Sequence, residues 1–259
     1  MNPLLASRVG FVDWVDLGTP DIAGALHFYR EVLGWGYSQV DAPVATYYTA
    51  TTDDGAVAGL RELGSGVAPE TPAAWMIYVR VESVDDAAAR AVLSGGAVVA
   101  GPVDVGSGAR SAVLADPADA VFSVISGQGL PEMVRATPGA VVGCENLTRD
   151  LSSSLHFYRD MFGWVAKTNL DTGYVTFELH GDEVGGLMAM PGEVPAEAPS
   201  HWLVYFATSN CRETCDSVVA LGGNVGMRPR VFEVADLAVM MAVAEDPSGA
   251  VFGLLQHPA

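Results

Sequence analysis

The chain has 259 residues, half of them hydrophobic, which is material for two cores of ordinary size. Its formal charge of −18, from 13 basic and 31 acidic side chains, repels phosphate backbones and anionic lipid surfaces, so neither nucleic acid nor a membrane is an expected partner. Cys144, Cys211 and Cys215 are odd in number and share the second half, which argues for reduced thiols over a disulfide framework. With no apolar run of roughly 18 residues and no signal-like start, the expected location is the cytoplasm.

In chain order, Gly10 to Gly18 alternates as a strand, with Val12, Trp14 and Asp16 on one face. A helix follows, capped by Asp21, striped by Ile22, Ala25, Leu26, Tyr29, Val32 and Leu33, and stopped by Gly34. Strands are expected over Ala45–Thr51, Val57–Glu62 and Trp75–Val81, a helix over Val84–Ser94, then strands near Val98–Val103, Ser111–Leu114 and Val121–Ser126, with a turn at Asp116-Pro117. Next comes a segment rich in Gly, Pro and polar residues, and the pattern restarts. Its strand runs Ala140–Leu147, its helix Leu151–Phe162, then strands Gly173–His180, Val184–Met190 and His201–Thr208, a helix Cys211–Leu221 and paired terminal strands. Gly64–Pro72 and Pro191–Pro199 read as loops.

The restart is a repeat. Leu26-His27-Phe28-Tyr29-Arg30 returns as Leu155-His156-Phe157-Tyr158-Arg159, displaced by 129 residues, and Asp116-Pro117 returns as Asp246-Pro247. The expected division is a first module over 1–128, a linker over 129–139 and a second module over 140–259.

An Asp-capped helix ending in Phe-Tyr-x-x-x-x-Gly, strands such as Val57-Ala58-Gly59-Leu60 and Val184-Gly185-Gly186-Leu187, and a closing Asp-Pro-x-x-x-x-Phe resemble the vicinal oxygen chelate superfamily. It includes glyoxalase I, extradiol dioxygenases and bleomycin-binding proteins. The resemblance implies an α+β fold in which tandem βαβββ modules form curled mixed β-sheet cups with helices outside and the ligand in the cup. In the metal-dependent members, carried over position by position, the ligands would fall on Trp14 and Gly143, Met76 and Leu203, and Ser123 and Gly253. A divalent cation needs imidazole or carboxylate donors, so the expected cofactor is none and the expected metal is none.

What chemistry remains is carboxylate chemistry. Period-two alternation puts Asp16 beside Trp14 and Glu145 beside Gly143, so both carboxylates are candidate general acids or bases, or ligand anchors; the alternative is that each bonds backbone nearby. Candidate ligand-binding residues are Trp14, Met76, Tyr78, Ser123, Tyr174, Glu178, His201 and Tyr205. Trp75 and Trp202 fall on the opposite face, under a helix. A minority arrangement has Glu178, His180, Glu145 and His201 converging on an unconventional metal or acid–base site. His27 and His156 lie opposite the apolar stripe and should face solvent, and Cys211 and Cys215 read as packing.

The expected function is metal-independent binding of a small hydrophobic or aromatic molecule, with or without acid–base catalysis by Asp16 or Glu145. An enzyme of this kind would be a lyase, isomerase or hydroxylase-like member of small-molecule or natural-product metabolism. The alternatives are a metal-dependent glyoxalase or dioxygenase with non-standard ligands, and a drug-sequestering resistance protein. A monomer or homodimer is expected.

Overall fold

The structure is a computed structural model and describes residues 8–40, 46–64, 71–106, 108–128, 131–135, 137–234 and 237–258. The expected strand start at Ala45, residues 65–70 of an expected loop, and residues 129, 130 and 136 of the expected linker lie outside them.

The chain runs four times through the same βαβββ order. The first run is β1 (Val12–Thr19), α1 (Ile22–Leu33), β2 (Gly36–Val40), β3 (Tyr47–Thr52) and β4 (Gly55–Glu62). The second is β5 (Ala74–Arg80), α2 (Val84–Leu93), β6 (Ala97–Gly106), β7 (Ala109–Ala115) and β8 (Val121–Gly127). The third is β9 (Val141–Thr148), α3 (Leu151–Phe162), β10 (Val165–Thr168), β11 (Val175–Leu179) and β12 (Asp182–Ala189). The fourth is β13 (His201–Ala207), α4 (Cys211–Ala220), β14 (Asn224–Val234), β15 (Leu237–Glu245) and β16 (Val251–Gln256).

Hydrogen bonding gathers these strands into two eight-stranded mixed sheets, ordered β2-β3-β4-β1-β5-β8-β7-β6 and β10-β11-β12-β9-β13-β16-β15-β14. In every run the first and last strands pair in parallel and the others as hairpins. A parallel pair needs a crossover, which the helix supplies. Sequence pattern missed β2 and β10, because both are short, largely exposed sheet edges with no apolar alternation to read.

The helix ends follow from capping chemistry. The Asp21 carboxylate accepts from Gly24 N at 2.9 Å and the Asp150 carboxylate from Ser153 N at 3.0 Å. Gly34 and Gly163 close α1 and α3 in the left-handed region, at φ 75° and 71°, which only glycine enters cheaply. The buried side of α1 is Ala25, Phe28, Tyr29, Val32 and Leu33. Phe28 therefore replaces Ile22 and Leu26 in the expected stripe, since its ring seats edge-on against Tyr29 and Phe252. His27 and His156 are exposed, as expected.

Packing divides the chain into two compact units. One comprises residues 1–13, 76–130 and 143–202; the other comprises 14–75, 131–142 and 203–259. Each unit thus takes two βαβββ runs, one from each sequence half. Within the first, α2 meets α3; within the second, α1 meets α4.

Each unit is tied by one copy of the repeated motif meeting its counterpart motif from the other half. Asp116 accepts from Ala118 N (2.8 Å) and Ala120 N (2.9 Å) through Oδ1 and from Ser154 Oγ (2.9 Å) through Oδ2, and it also bonds the Tyr158 phenol. Tyr158 in turn accepts from Trp202 Nε1 at 2.9 Å and Asn146 Nδ2 at 3.2 Å. In the other unit Tyr29 donates to Asp246 Oδ2 at 3.1 Å and accepts from Trp75 Nε1 at 3.0 Å. Trp75 and Trp202 accordingly sit under helices. Burial pushes both aspartates up from the usual carboxylate range, against the pull of their backbone donors.

One buried contact has no twin. Arg80 Nε donates to Asp13 Oδ2 at 2.7 Å and its Nη1 to Gly127 O at 2.8 Å, whereas the equivalent positions 207 and 142 hold Ala and Val. The three cysteines are buried and form no disulfide among the described residues. Among the described residues no helix is long and apolar enough to cross a membrane.

Candidate functional site

The two predicted carboxylates stand at equivalent places. Asp16 on β1 lies across from Gly59 on β4, and Glu145 on β9 lies across from Gly186 on β12. Both are nearly sealed, at 5% and 7% exposure. A buried carboxylate needs donors, and a phenol supplies one in each half.

In the first half the Tyr47 hydroxyl donates to Asp16 Oδ1 at 2.6 Å. Trp14 Nε1 lies 2.8 Å from the same oxygen and 2.7 Å from Tyr47 Oη, so indole, phenol and carboxylate close a triangle. Asp16 is thereby held by two side chains, one from its own strand and one from a neighbouring hairpin. In the second half Tyr174 hydrogen-bonds Glu145. Burial first, then the negative charges of Glu145 and Glu183, push the Tyr174 phenol well above its usual range, so it keeps its proton and stays a donor.

Glycine makes room for both phenols. A Cβ on Gly59 would collide with Tyr47 Oη and Asp16 Oδ1, and a Cβ on Gly186 would collide with Tyr174 Oη. Tyr47, Gly59 and Gly186 were not among the expected site residues. Their signal is a spacing: in both halves the tyrosine precedes the glycine by twelve residues.

The other expected residues occupy separate places. Met76 and Tyr78 are half-buried on β5, with Tyr78 opposite Ser123, whose hydroxyl is buried and has no hydrogen-bond partner among the described residues. Tyr205 is buried and lies against Gly253, where a Cβ would strike its ring. Glu178 forms an ion pair with Lys167 at 2.6 Å. His201 Nδ1 sits 2.9 Å from Pro199 O, at the end of a loop that Arg149 also holds through the Pro195 and Ala198 carbonyls. His180 is exposed at the β11–β12 turn with φ 56°.

The convergence of Glu178, His180, Glu145 and His201 on a metal is corrected by these commitments. Among the described residues no three His, Cys, Asp or Glu side chains form a metal-holding group. Nor do the positions implied by family resemblance fit a divalent cation. The only heteroatom of Trp14 is an N–H donor spent on Asp16 and Tyr47, Gly143 and Gly253 have no side chain, Met76 and Leu203 offer neither imidazole nor carboxylate, and Ser123 offers a lone hydroxyl. A surface recess of about 480 Å³, lined by Arg159, Gly163, Trp164 and Val165, involves none of the expected site residues.

Comparison with known proteins agrees with the fold. A Mycobacterium bovis protein carrying the name glyoxylase CFP32 is 31% identical over 96% of this chain and 95% of its own length. The anthracycline biosynthesis proteins DauV of Streptomyces sp. and DnrV of Streptomyces peucetius are each 32% identical over 94% of this chain and 92% of theirs. Among solved structures, the Mn(II)-bound glyoxalase of Novosphingobium aromaticivorans superimposes with a TM-score of 0.65 at 16% identity, covering 96% of this chain and 82% of that one. The 2,3-dioxygenase LapB of Pseudomonas sp. KL28 gives 0.64 at 13% identity, covering 97% and 95%. The family's sequence profile matches residues 11–124 and again 144–254, and the chain belongs to the Glyoxalase/Bleomycin resistance protein/Dioxygenase superfamily.

Proposed function

We propose that the chain binds a hydrophobic or aromatic small molecule at a tyrosine-anchored carboxylate, Asp16 or Glu145, without a metal at the positions its metal-dependent relatives use. The observation that carries this reading is the repeated carboxylate–phenol pair seated on a side-chain-free glycine. Two buried polar groups and a sacrificed side chain are costly in a strand, and the pair recurs in both halves. A carboxylate has about four acceptor positions and can serve several donors at once, as Asp16 serves Tyr47 and Trp14, so the same chemistry suits a ligand hydroxyl or amine or the uptake of its proton. Two relatives are named for anthracycline biosynthesis, and an anthracycline is built on a fused-ring aromatic core.

The test is thermal denaturation against a panel of hydrophobic phenols, aromatic amines and fused-ring compounds. A ligand present at 100 times its Kd adds about 2.7 kcal/mol of stability, a readily visible rise in Tm. No rise with any compound overturns the reading. For a compound that binds, Asp16→Asn and Glu145→Gln separate binding from catalysis, since loss of a general base costs roughly 10²–10⁴-fold in rate. Elemental analysis of protein purified without chelators checks the metal, and a stoichiometric transition metal in the site overturns that clause.

A further inference from the structure

The halves share the carboxylate–phenol pair and differ two residues upstream of it. In the first half that position is Trp14, whose ring is 1% exposed and whose N–H points at both Asp16 and Tyr47. This is a flat bicyclic aromatic, carrying one donor, seated on a carboxylate and a phenol. In the second half the equivalent residue is Gly143, on the same face of β9 as Glu145 because side chains of a strand alternate. A Cβ built on Gly143 meets no atom of the described residues within 4 Å, and the residue is only half-buried. Where the first half supplies its own aromatic, the second half offers clear space beside the same pair of polar groups.

We propose that the second half binds, at Glu145, the flat aromatic part of a small molecule bearing an O–H or N–H donor, in the position the Trp14 indole takes in the first half. This rests on the small-molecule reading above and adds to it which half is used and what the ligand carries. The donor meets the Glu145 carboxylate, the ring covers Gly143, and Tyr174 holds the carboxylate in place. Glu145 and Glu183 both place negative charge against Tyr174, Glu178 beside them is paired with Lys167, and the chain carries −18 overall, so an aromatic carboxylate is rejected where a neutral phenol or indole is accepted. The first half is closed by its own tryptophan.

The probe is 2-naphthol, with 2-naphthoate and naphthalene as controls, titrated calorimetrically against the full chain. The expected result is one site per chain for 2-naphthol, with 2-naphthoate and naphthalene each at least ten-fold weaker. Gly143→Trp, which rebuilds the first-half arrangement, should abolish the site, and Gly143→Leu decides if the tryptophan variant fails to fold. Glu145→Gln should weaken binding at least ten-fold. Unchanged binding in the folded Gly143 variant, equal binding of 2-naphthoate, or loss of the site in Asp16→Asn and not in Glu145→Gln overturns the inference. If 2-naphthol fails but another compound of the panel still raises Tm, only this inference falls; if no compound does, the underlying reading falls with it.

Discussion

Gly59 and Gly186 carry no chemistry of their own, yet each decides whether a phenol reaches a carboxylate. Gly186→Ala should destabilise the fold by about 1–3 kcal/mol, the ordinary range for forcing an extra methyl into packed space. It should also separate Tyr174 from Glu145; urea denaturation reads the first effect and ligand titration the second. At this scale the sequence was half legible. Alternation along β1 and β9 pointed to Asp16 and Glu145, because the residues involved are local. Tyr47 and Tyr174 reach them from neighbouring hairpins, and a hairpin's register is invisible to periodicity within one strand. The Trp14 ring, expected among the ligand-binding residues, is buried against the polar pair, a fact that depends on what surrounds it.

Among elements, the helices were read almost to the residue: α3 was expected over Leu151–Phe162 and forms there. Its Asp cap and terminal glycine are local signals with a mechanism. The partner of each helix was not readable. Tyr158 on α3 meets Asp116, and Tyr29 on α1 meets Asp246, so the helix motif of one half is completed by the turn motif of the other. Tyr158→Phe removes the acceptor of Trp202 Nε1 and Asn146 Nδ2 and a donor to Asp116, all buried. It should cost about 1–3 kcal/mol per orphaned group, and more than Tyr29→Phe, whose phenol accepts from the single donor Trp75 Nε1 among the described residues. Chemical denaturation of the two single variants checks the order. The aspartates have a pH signature of the less usual sign. Their folded pKa values are raised, so their contribution is fully present below the unfolded value and is lost as pH rises through the folded one. Asp116→Asn should therefore flatten the stability profile on the acid side, measured as Tm against pH.

At the level of the whole chain, burial dominates the tyrosines. Tyr29, Tyr37, Tyr158 and Tyr174, four of eight, are all pushed up, and in each desolvation is the largest cause. A raised folded value means stability that is complete below about pH 10, the ordinary phenol value, and lost as pH rises through the folded values. Alkaline titration followed at 295 nm should show a partial phenolate signal while the fold persists, with the remainder appearing as it unfolds. A full eight-tyrosine signal from folded protein would contradict that burial.

The repeat announced two copies of one pattern, but similarity does not say which surfaces touch, and each compact unit draws on both copies. The peptide connection between the halves therefore acts as a tether between complementary fragments. A protease site introduced between Gln128 and Pro131, once cut, should leave a nicked pair that co-elutes in size exclusion and melts as one species. After dilution from denaturant, its refolding should turn concentration-dependent, because the cut removes an effective concentration in the millimolar range that a short link supplies.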